Sequence, residues 1–296
     1  MGQRIPGKMI KGFDHAMIAV RDLDKASRKY RRLGFEVVAG GRHPGRGTHN
    51  TLMRFGWGFI ELIAIHDPGE RARLGREGEG LTNFLKAGEG FVDVILETEE
   101  MDELANRLSN AGLKVGKPFP LGRVRPDGFV TKNRILPTGP ISTRHFFPGI
   151  IEWEKPDPER LTPAAQTPHN NGASQVVGVA IIVSELAAAR KAYVEVLGLP
   201  ARAEEFVAEL NARRVHCLAG SLGIDLLGGA GPGVVQSALE SIGEGLFEVH
   251  IRVKDIEQSR ACLEQTGIEL EPAPGVRKGL LLPENSTAGA RFVLIN

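Results

Sequence analysis

Apolar runs with strand character alternate along the chain with short amphipathic segments that end at a glycine. The first run, GFDHAMIAV at residues 12–20, leads into DLDKASRKYRRLG, where Asp22 is a predicted N-cap and Gly34 a predicted helix end. Three further strand patterns follow, in FEVVAGG, HNTLMRF and GFIELIAI. This order predicts a βαβββ unit.

The same order recurs three more times, so the chain contains an internal repeat. From the first helical residue to the glycine, the four intervals are 11, 11, 12 and 11 residues. They run from Leu23 to Gly34, Met101 to Gly112, Leu186 to Gly198 and Ile256 to Gly267. Because one such unit buries little apolar surface alone, we expect the four units to pair into two domains of an α+β protein.

A stretch rich in Pro, Asn and Thr, EKPDPERLTPAAQTPHNNGAS, separates the second unit from the third and predicts a linker. We therefore expect a first domain over residues 11–157, a linker over 158–173 and a second domain over 174–296. The charged, glycine-rich segment RARLGREGEGLTNFLKAGEG, between the first two units, predicts a mobile connector or lid.

Composition narrows the class of protein. The 296 residues are 42% hydrophobic and 25% charged, with a formal net charge of +1, so neither nucleic acid nor an anionic membrane is an expected partner. No apolar run approaches the ~20 residues that cross a bilayer, and the N-terminus lacks the apolar region of a signal peptide. A cytoplasmic location is expected.

The two cysteines, Cys217 and Cys262, have no CxxC spacing and predict neither a disulfide framework nor a thiolate zinc site.

Four βαβββ units with a V-x-D-L type of helix entry resemble the vicinal oxygen chelate superfamily, which includes glyoxalases, extradiol dioxygenases and bleomycin-resistance proteins. The first half most resembles glyoxalase-like proteins, through DHAMIAVRDL at residues 14–23 and GRHPGRGTHN at residues 41–50. The resemblance implies that each pair of units forms a curved mixed sheet, a cup with its helices outside. It also implies a divalent metal in the cup, bound from the first and last strand of each unit.

Carried over to this sequence, the resemblance implies that His15 and Glu61 of the first unit and Asp93 and Glu152 of the second are the metal ligands. The spacing agrees for the first strands, since His15 to Gly34 and Asp93 to Gly112 are both 19 residues. In the second domain the same positions are Gly178, Asp225, Glu248 and about Val293, which predicts no complete metal site there.

A physical argument supports these positions. Glu61, Asp93 and Glu152 each interrupt an apolar strand, where an unpaired carboxylate is costly, and one shared cation would compensate all of them. Two alternatives stay open: His15 as a buried histidine with an ordinary hydrogen bond, and Glu152 as the partner of an arginine such as Arg144. One imidazole with carboxylates suits Mn, Fe(II), Co, Ni or Mg, and zinc is also compatible.

The segment GRHPGRGTHN lacks the lysine of a phosphate-binding P-loop and leads into a strand. We expect it to present substrate-binding side chains over the cup, with an ordinary exposed turn as the alternative. These are Arg42, His43, Thr48, His49 and Asn50. Phe147 and Trp153 are candidates for an apolar wall of the substrate site, or for ordinary core residues.

The functional prediction is a divalent-metal-dependent, glyoxalase-like lyase or isomerase. The metal would act as a Lewis acid on a small carbonyl or vicinal-oxygen substrate, while Glu61 or Glu152 moves a proton through an enediolate-like intermediate. One alternative is a small-molecule binding or resistance protein without turnover. A second is an Fe(II) extradiol-type dioxygenase, which would need a second histidine, His49 or His145. A homodimer stays open.

Overall fold

The structure, a computed structural model, describes residues 9–139, 144–154, 168–275 and 278–296. Most of the linker predicted over residues 158–173 lies outside them, as do residues 155–157 at the predicted end of the first domain. The first half contains eight strands that close into a barrel in the order β1-β4-β3-β2-β6-β7-β8-β5. They are β1 (Ile10–Ala19), β2 (Val38–His43), β3 (Thr48–Phe55), β4 (Gly58–Ile65), β5 (Gly90–Thr98), β6 (Phe119–Val124), β7 (Val130–Leu136) and β8 (Gly149–Trp153).

Two βαβββ units build this barrel, as the sequence predicts. Helix α1 (Leu23–Arg32) follows β1, and helix α4 (Met101–Asn110) follows β5. Asp22 caps α1, since its side chain accepts a hydrogen bond from the Lys25 amide. The glycines predicted to end the repeated helices all have positive φ, between 72° and 82°, which only glycine adopts without strain. These are Gly34, Gly112, Gly198 and Gly267.

Strand β1 lies between the two units of the barrel. It pairs in parallel with β4, where His15 lies opposite Phe59, and antiparallel with β5, where His15 lies opposite Ile95. The register against β5 shifts between Phe13 and His15. Asp14 is the extra residue of this β-bulge, so it can share a face of the sheet with its neighbour.

The segment between the first two units is not the mobile connector that its glycines and charges predict. It forms helices α2 (Pro68–Ala72) and α3 (Arg76–Ala87). Leu81 and Leu85 of α3 are buried in a small apolar cluster with Ala19, Ile63 and Val92. The apolar spacing of four residues between these leucines outweighs the local glycines, because burial stabilises the helix.

The second half repeats the two units as an open sheet in the order β10-β11-β12-β9-β13-β16-β15-β14. Its strands are β9 (Ala173–Ile182), β10 (Glu205–Val207), β11 (Ala212–Ala219), β12 (Leu222–Gly229), β13 (Gly245–Val253), β14 (Glu271–Pro272), β15 (Leu280–Leu281) and β16 (Arg291–Ile295). Its helices are α5 (Leu186–Arg190), which continues as a π-helical turn (Lys191–Val196), α6 (Val234–Ile242) and α7 (Ile256–Glu264).

One large apolar cluster contains residues of both halves. Phe292 of β16 is fully buried and its ring lies against Tyr30, Phe35 and Phe91 of the first half, with centroids 5.3–6.5 Å away. The Tyr30 hydroxyl also donates to the carbonyl of Thr287 at 2.8 Å. The halves therefore share a core. Within the described part of the chain, no helix is both long and apolar enough to cross a membrane.

Candidate active site

The barrel contains a cavity of about 150 Å³, which is large enough for one benzene molecule. Polar side chains from β1, β4, β5 and β2 line it, among them His15, Glu61, Asp93 and His43. Its remaining walls are largely apolar, so charged groups inside it interact more strongly than they would in water.

His15 is fixed by its chain neighbour. Its Nδ1 donates to Asp14 Oδ1 at 2.5 Å, and Asp14 is fully buried and also accepts from Trp153 Nε1 at 2.7 Å. The imidazole stacks on the ring of Phe59, with centroids 4.6 Å apart. A carboxylate that binds one ring nitrogen sets the tautomer, and it leaves Nε2 directed at the cavity.

Glu61 lies beside that nitrogen. His15 Nε2 is 3.5 Å from Glu61 Oε2, and the other oxygen accepts a hydrogen bond of 2.6 Å from the Asn50 amide. The carboxylate is buried within β4. His15 and Glu61 therefore form a polar pair held at both ends, by Asp14 and by Asn50.

Asp93 lies on the other neighbour of β1, with His145 3.7 Å from its carboxylate. The amides of Val94 and Gly149 donate to Asp93 Oδ1 at 2.7 and 3.4 Å. Burial raises the pKa of Asp93 to about 6, and the charge of His145 offsets this in part. The carboxyl of Asp93 therefore keeps its proton to a higher pH than an ordinary aspartate does.

The second half of the chain holds His145 in place. Arg144 donates to the carbonyls of Ile242 and Leu246, and the Tyr193 hydroxyl donates to the Phe146 carbonyl at 2.6 Å. These bonds anchor the short segment 144–147 from outside the barrel. The second half therefore contributes to the first half's site by position, although none of its described side chains lines the cavity.

The prediction that Glu152 is a ligand in the cavity is wrong. Strand alternation directs Ile151 and Trp153 into the cavity and Glu152 to the opposite face. There Glu152 accepts hydrogen bonds from Arg134 at 2.5 and 2.9 Å and from the Met101 amide at 3.0 Å. The alternative that Glu152 pairs with an arginine is the one the structure supports, but its partner is Arg134 and not Arg144. Because Glu152 faces away from the cavity, the catalytic role predicted for it is also wrong.

The strand registers identify the true counterpart of Glu61 in the second unit. In the first unit, Glu61 of β4 pairs with Met17, which lies two residues after His15. In the second unit, the residue two positions after Asp93 is Ile95, and it pairs with Gly149 of β8. Gly149 is therefore the counterpart of Glu61. A Cβ atom at Gly149 would lie 3.0 Å from Asp93 Oδ2. The fourth ligand position therefore has no side chain.

The donor set does not fit the predicted divalent metal as it is arranged. Among the described residues, no three His, Cys, Asp or Glu side chains converge closely enough to hold a metal ion. His15 and Glu61 supply two neighbouring donors, and Asp93 lies with His145 on the next strand. A site for Mn, Fe(II), Co, Ni, Mg or Zn needs more donors than this pair.

The predicted substrate-binding residues divide between two faces. His43, Thr48, Asn50 and Trp153 line the cavity. Arg42 is exposed, His49 stacks on His66 with centroids 5.0 Å apart, and Phe147 packs on Tyr193 in the core. The predictions for Arg42, His49 and Phe147 are therefore wrong. Alternation along β2 and β3 directs Arg42 and His49 away from the cavity, and Phe147, which precedes β8, belongs to the apolar core. Of the two histidines considered for a dioxygenase, only His145 lines the cavity.

His43 is an uncharged member of the site at neutral pH. Burial lowers its pKa to about 4, with the nearby charges of Arg123 and Arg46 acting in the same direction and that of Glu61 opposing them. Its Nδ1 and the Thr48 hydroxyl are 2.9 Å apart, and its Nε2 is 3.9 Å from Glu61.

Sequence reasoning missed three arginines of the cavity wall, Arg46, Arg71 and Arg123. Arg46 follows β2 within the glycine-rich turn, so the motif itself was a usable signal. No sequence signal marked Arg71 or Arg123, because the pattern around Arg71 predicts a connector and that around Arg123 an ordinary strand. Asn133 of β7 also lines the cavity.

In the second half, the counterparts of Glu61 and Asp93 each contact other charged or polar side chains. His216 Nδ1 lies 2.7 Å from Asp225, and Glu248 contacts His250 at 2.6 Å and Arg291 at 2.7 Å. The registers of β9, β12 and β13 place Asp225 and Glu248 where Glu61 and Asp93 stand in the barrel. That this half binds no metal stays a prediction.

Comparison with known proteins agrees with this fold. The sequence model of a glyoxalase-like domain matches residues 13–197, which include the whole barrel from Phe13 onward. No curated protein matches the sequence.

Solved structures resemble the chain over nearly its full length. A hypothetical protein from Staphylococcus aureus is 15% identical with a TM-score of 0.65, covering 96% of this chain and 99% of that one. A mutant 4-hydroxymandelate synthase from Streptomyces coelicolor is 15% identical with a TM-score of 0.65, covering 97% and 93%. An Mn(II)-bound glyoxalase from Novosphingobium aromaticivorans is 12% identical with a TM-score of 0.58, covering 97% and 82%. These likenesses confirm the predicted α+β fold built from paired βαβββ units.

Proposed function

The chain belongs to the glyoxalase-like domain family, and from this premise we propose that it is a lyase or isomerase of small carbonyl compounds. The reaction takes place in the barrel cavity and moves a proton at a carbon atom beside the carbonyl group. The observation that carries the proposal is the pair of His15 and Glu61, directed at the cavity and held by Asp14 and Asn50.

Glu61 is the base in this reaction. Its carboxylate takes the proton, the electron pair of the C–H bond forms an enolate, and the proton then returns to a different atom of the same molecule. The enolate oxygen accepts hydrogen bonds from donors of the wall such as the Asn133 amide. The Asn50 amide holds one oxygen of the carboxylate by a hydrogen bond, and His15 lies beside the other oxygen. No step is assigned to a metal, because among the described residues no three suitable side chains converge.

Proton exchange tests this proposal directly. Hydroxyacetone and phenylpyruvate are incubated with the protein in D₂O, and deuterium uptake at the carbon beside the carbonyl is followed by proton NMR. Glu61→Gln should slow the exchange about a hundredfold or more. Glu152→Gln is the matched control, since Glu152 lies on the opposite face and its loss should leave the rate within about twofold of wild type.

Plasma mass spectrometry of the same preparations tests the absence of a metal step. Stoichiometric metal in wild type and Glu152→Gln that is lost in Glu61→Gln would overturn the metal-free form of the proposal. Equal exchange rates in Glu61→Gln and wild type would overturn the role of Glu61.

A binding protein without turnover is the second candidate, and one observation favours it. The polar groups at the centre of the site already have protein partners: His15 bonds to Asp14, Glu61 to Asn50, and Asp93 to two amides. Saturable binding of these carbonyl compounds, with no deuterium exchange in any variant, would support this candidate against the enzyme.

A further inference from the structure

We propose that the cavity selects small molecules that carry a carboxylate, which the guanidinium groups of Arg123 and Arg46 bind. The inference builds on the proposed function, because it assigns the substrate class of the same cavity. It stands on arginines that the proton transfer does not use.

The charges of the cavity are separated by the barrel's topology. Glu61 and Asp93 come from β4 and β5, the two neighbours of β1, whereas Arg123 comes from β6, which lies opposite β1 in the closed ring of eight strands. Arg46 follows β2, the neighbour of β6, and Arg71 comes from α2. The cavity therefore has an acidic wall and a basic wall.

The cations of the basic wall act on one another. The charge of Arg46 lowers the pKa of Arg71 further than burial does alone, and the charges of Arg123 and Arg46 both lower that of His43. Glu77 pairs with Arg46, while the Arg71 guanidinium donates to the backbone carbonyls of Gly78, Arg46 and Glu77. An anion placed among these groups would relieve their mutual repulsion.

The geometry of Arg46 suits a planar oxyanion. Its guanidinium lies over the ring of Phe119, 4.4 Å from the centroid, and Arg71 holds the Arg46 carbonyl at 3.3 Å. Stacking restricts the plane of the guanidinium, and Nη1 pairs with Glu77, so its other N–H groups are the ones that would donate to a carboxylate.

The size and walls of the cavity define the rest of the molecule. A volume of about 150 Å³ leaves space for the carboxylate and one small apolar group. Apolar side chains also line the cavity, so that group would be an aromatic ring or a branched chain. They are Phe59, Phe119, Leu121, Ile135 and Ile151.

Binding of unreactive probes tests the inference without any turnover. Isothermal titration calorimetry compares benzoate, its neutral isostere benzamide, and phenyl phosphate. Benzoate should bind at least about tenfold more tightly than benzamide, the size of one charge-assisted hydrogen bond. Arg123→Gln should remove that preference while benzamide still binds, which also shows that the cavity is intact. Arg46→Gln is the second variant should Arg123→Gln fail to fold.

Arg134→Gln is the matched control, since Arg134 lies on β7 beside β6 but pairs with Glu152 on the outer face. Its preference for benzoate should equal that of wild type. Equal binding of benzoate and benzamide, or an unchanged preference in both cavity variants, would overturn the inference. Tighter binding of phenyl phosphate would overturn it in favour of a phosphate ligand. None of these results depends on deuterium exchange, so failure of the proposed function is seen separately.

Discussion

Asp14, the extra residue of the bulge between β1 and β5, places a carboxylate beside the His15 imidazole. Without the bulge, two consecutive residues of a strand would point to opposite faces. Since Asp14 accepts from Nδ1, the other nitrogen faces Glu61 without a proton when the ring is neutral. The bulge thus determines which ring nitrogen of His15 faces the cavity.

Asp14→Asn is expected to change the tautomer of His15 with little change in packing. The amide can donate to Nδ1, which drives the proton to Nε2, and deuterium exchange at the substrate should fall by about 10- to 100-fold. Long-range proton–nitrogen NMR spectra report the tautomer directly. His216, which is bound to Asp225 in the second half, provides an internal control whose signals should not move. An unchanged His15 tautomer would show that Asp14 does not set it.

Asp93→Asn is expected to stabilise the protein at neutral pH and not in acid. Burial raises the folded-state pKa of Asp93 from 3.8 to about 6, so the folded protein holds the proton more tightly than the unfolded chain. The free energy of unfolding that Asp93 contributes therefore falls as the pH rises from about 4 to 6. Above about pH 6 the ionised, buried carboxylate destabilises the folded protein by its full amount, on the order of 2–3 kcal/mol. Urea unfolding of variant and wild type should show this difference at pH 7.5 and none at pH 4. A difference that is the same at both pH values would contradict it.

At the scale of single residues, the sequence predicted which side chains are unusual better than where they point. The family resemblance pointed to His15, Glu61 and Asp93, with the interruption of an apolar strand as a supporting criterion for the acids, and all three line the cavity. Glu152 satisfied the same criterion and faces outward. The loops of the second unit differ in length from those of the first, so counting along the chain could not align Gly149 with Glu61.

The two units of the barrel meet twice, between β1 and β5 and at the contact between β2 and β6. Arg42 pairs with Val124 there, and the preceding Gly41 has a φ of 147°. A Cβ atom at Gly41 would lie 2.1 Å from the Val124 carbonyl oxygen, which no side chain can tolerate. The glycine is thus required for the barrel to close.

Gly41→Ala is expected to cost about 3 kcal/mol or more of stability, because β2 and β6 must separate to accept the methyl group. Gly45→Ala is the matched control in the same hairpin. Gly45 has a φ of 76° but nothing within 4 Å, so its substitution should cost only about 1–2 kcal/mol of backbone strain. Urea unfolding measures both, and amide exchange in β6 should accelerate only in Gly41→Ala. Equal costs for the two variants would show that the contact does not matter.

The four repeated helices and their glycine ends were predictable because each signal is local: a cap, an apolar period and a stop. Helix α3 was not, because its glycines and charges concealed two leucines whose partners, Ile63 and Val92, come from distant strands. The anchoring of His145 was equally invisible, since Tyr193 and Leu246 are remote in sequence from the segment that they hold.

At the scale of the whole molecule, the repeat predicts two similar domains, and the structure gives them different forms: a closed barrel and an open sheet. The sequence could not show this, because closure depends on the contact between β2 and β6 and not on the strands themselves. Nor does the repeat show that the halves share one apolar cluster, in which Phe292 touches aromatic residues of the first half.

The shared cluster predicts that the two halves unfold together. Both tryptophans, Trp57 and Trp153, lie in the first half, so their fluorescence reports the barrel, whereas far-ultraviolet circular dichroism reports the whole chain. Phe292→Ala, in the second half, should lower both urea midpoints equally, for a loss of about 3–5 kcal/mol. Phe206→Ala, also in the second half but 59% exposed, should shift neither. If Phe292→Ala changed the circular dichroism transition and left the tryptophan transition in place, the halves would be independent. Because the second half holds His145 in the cavity, a single transition would also mean that the site is lost whenever either half unfolds.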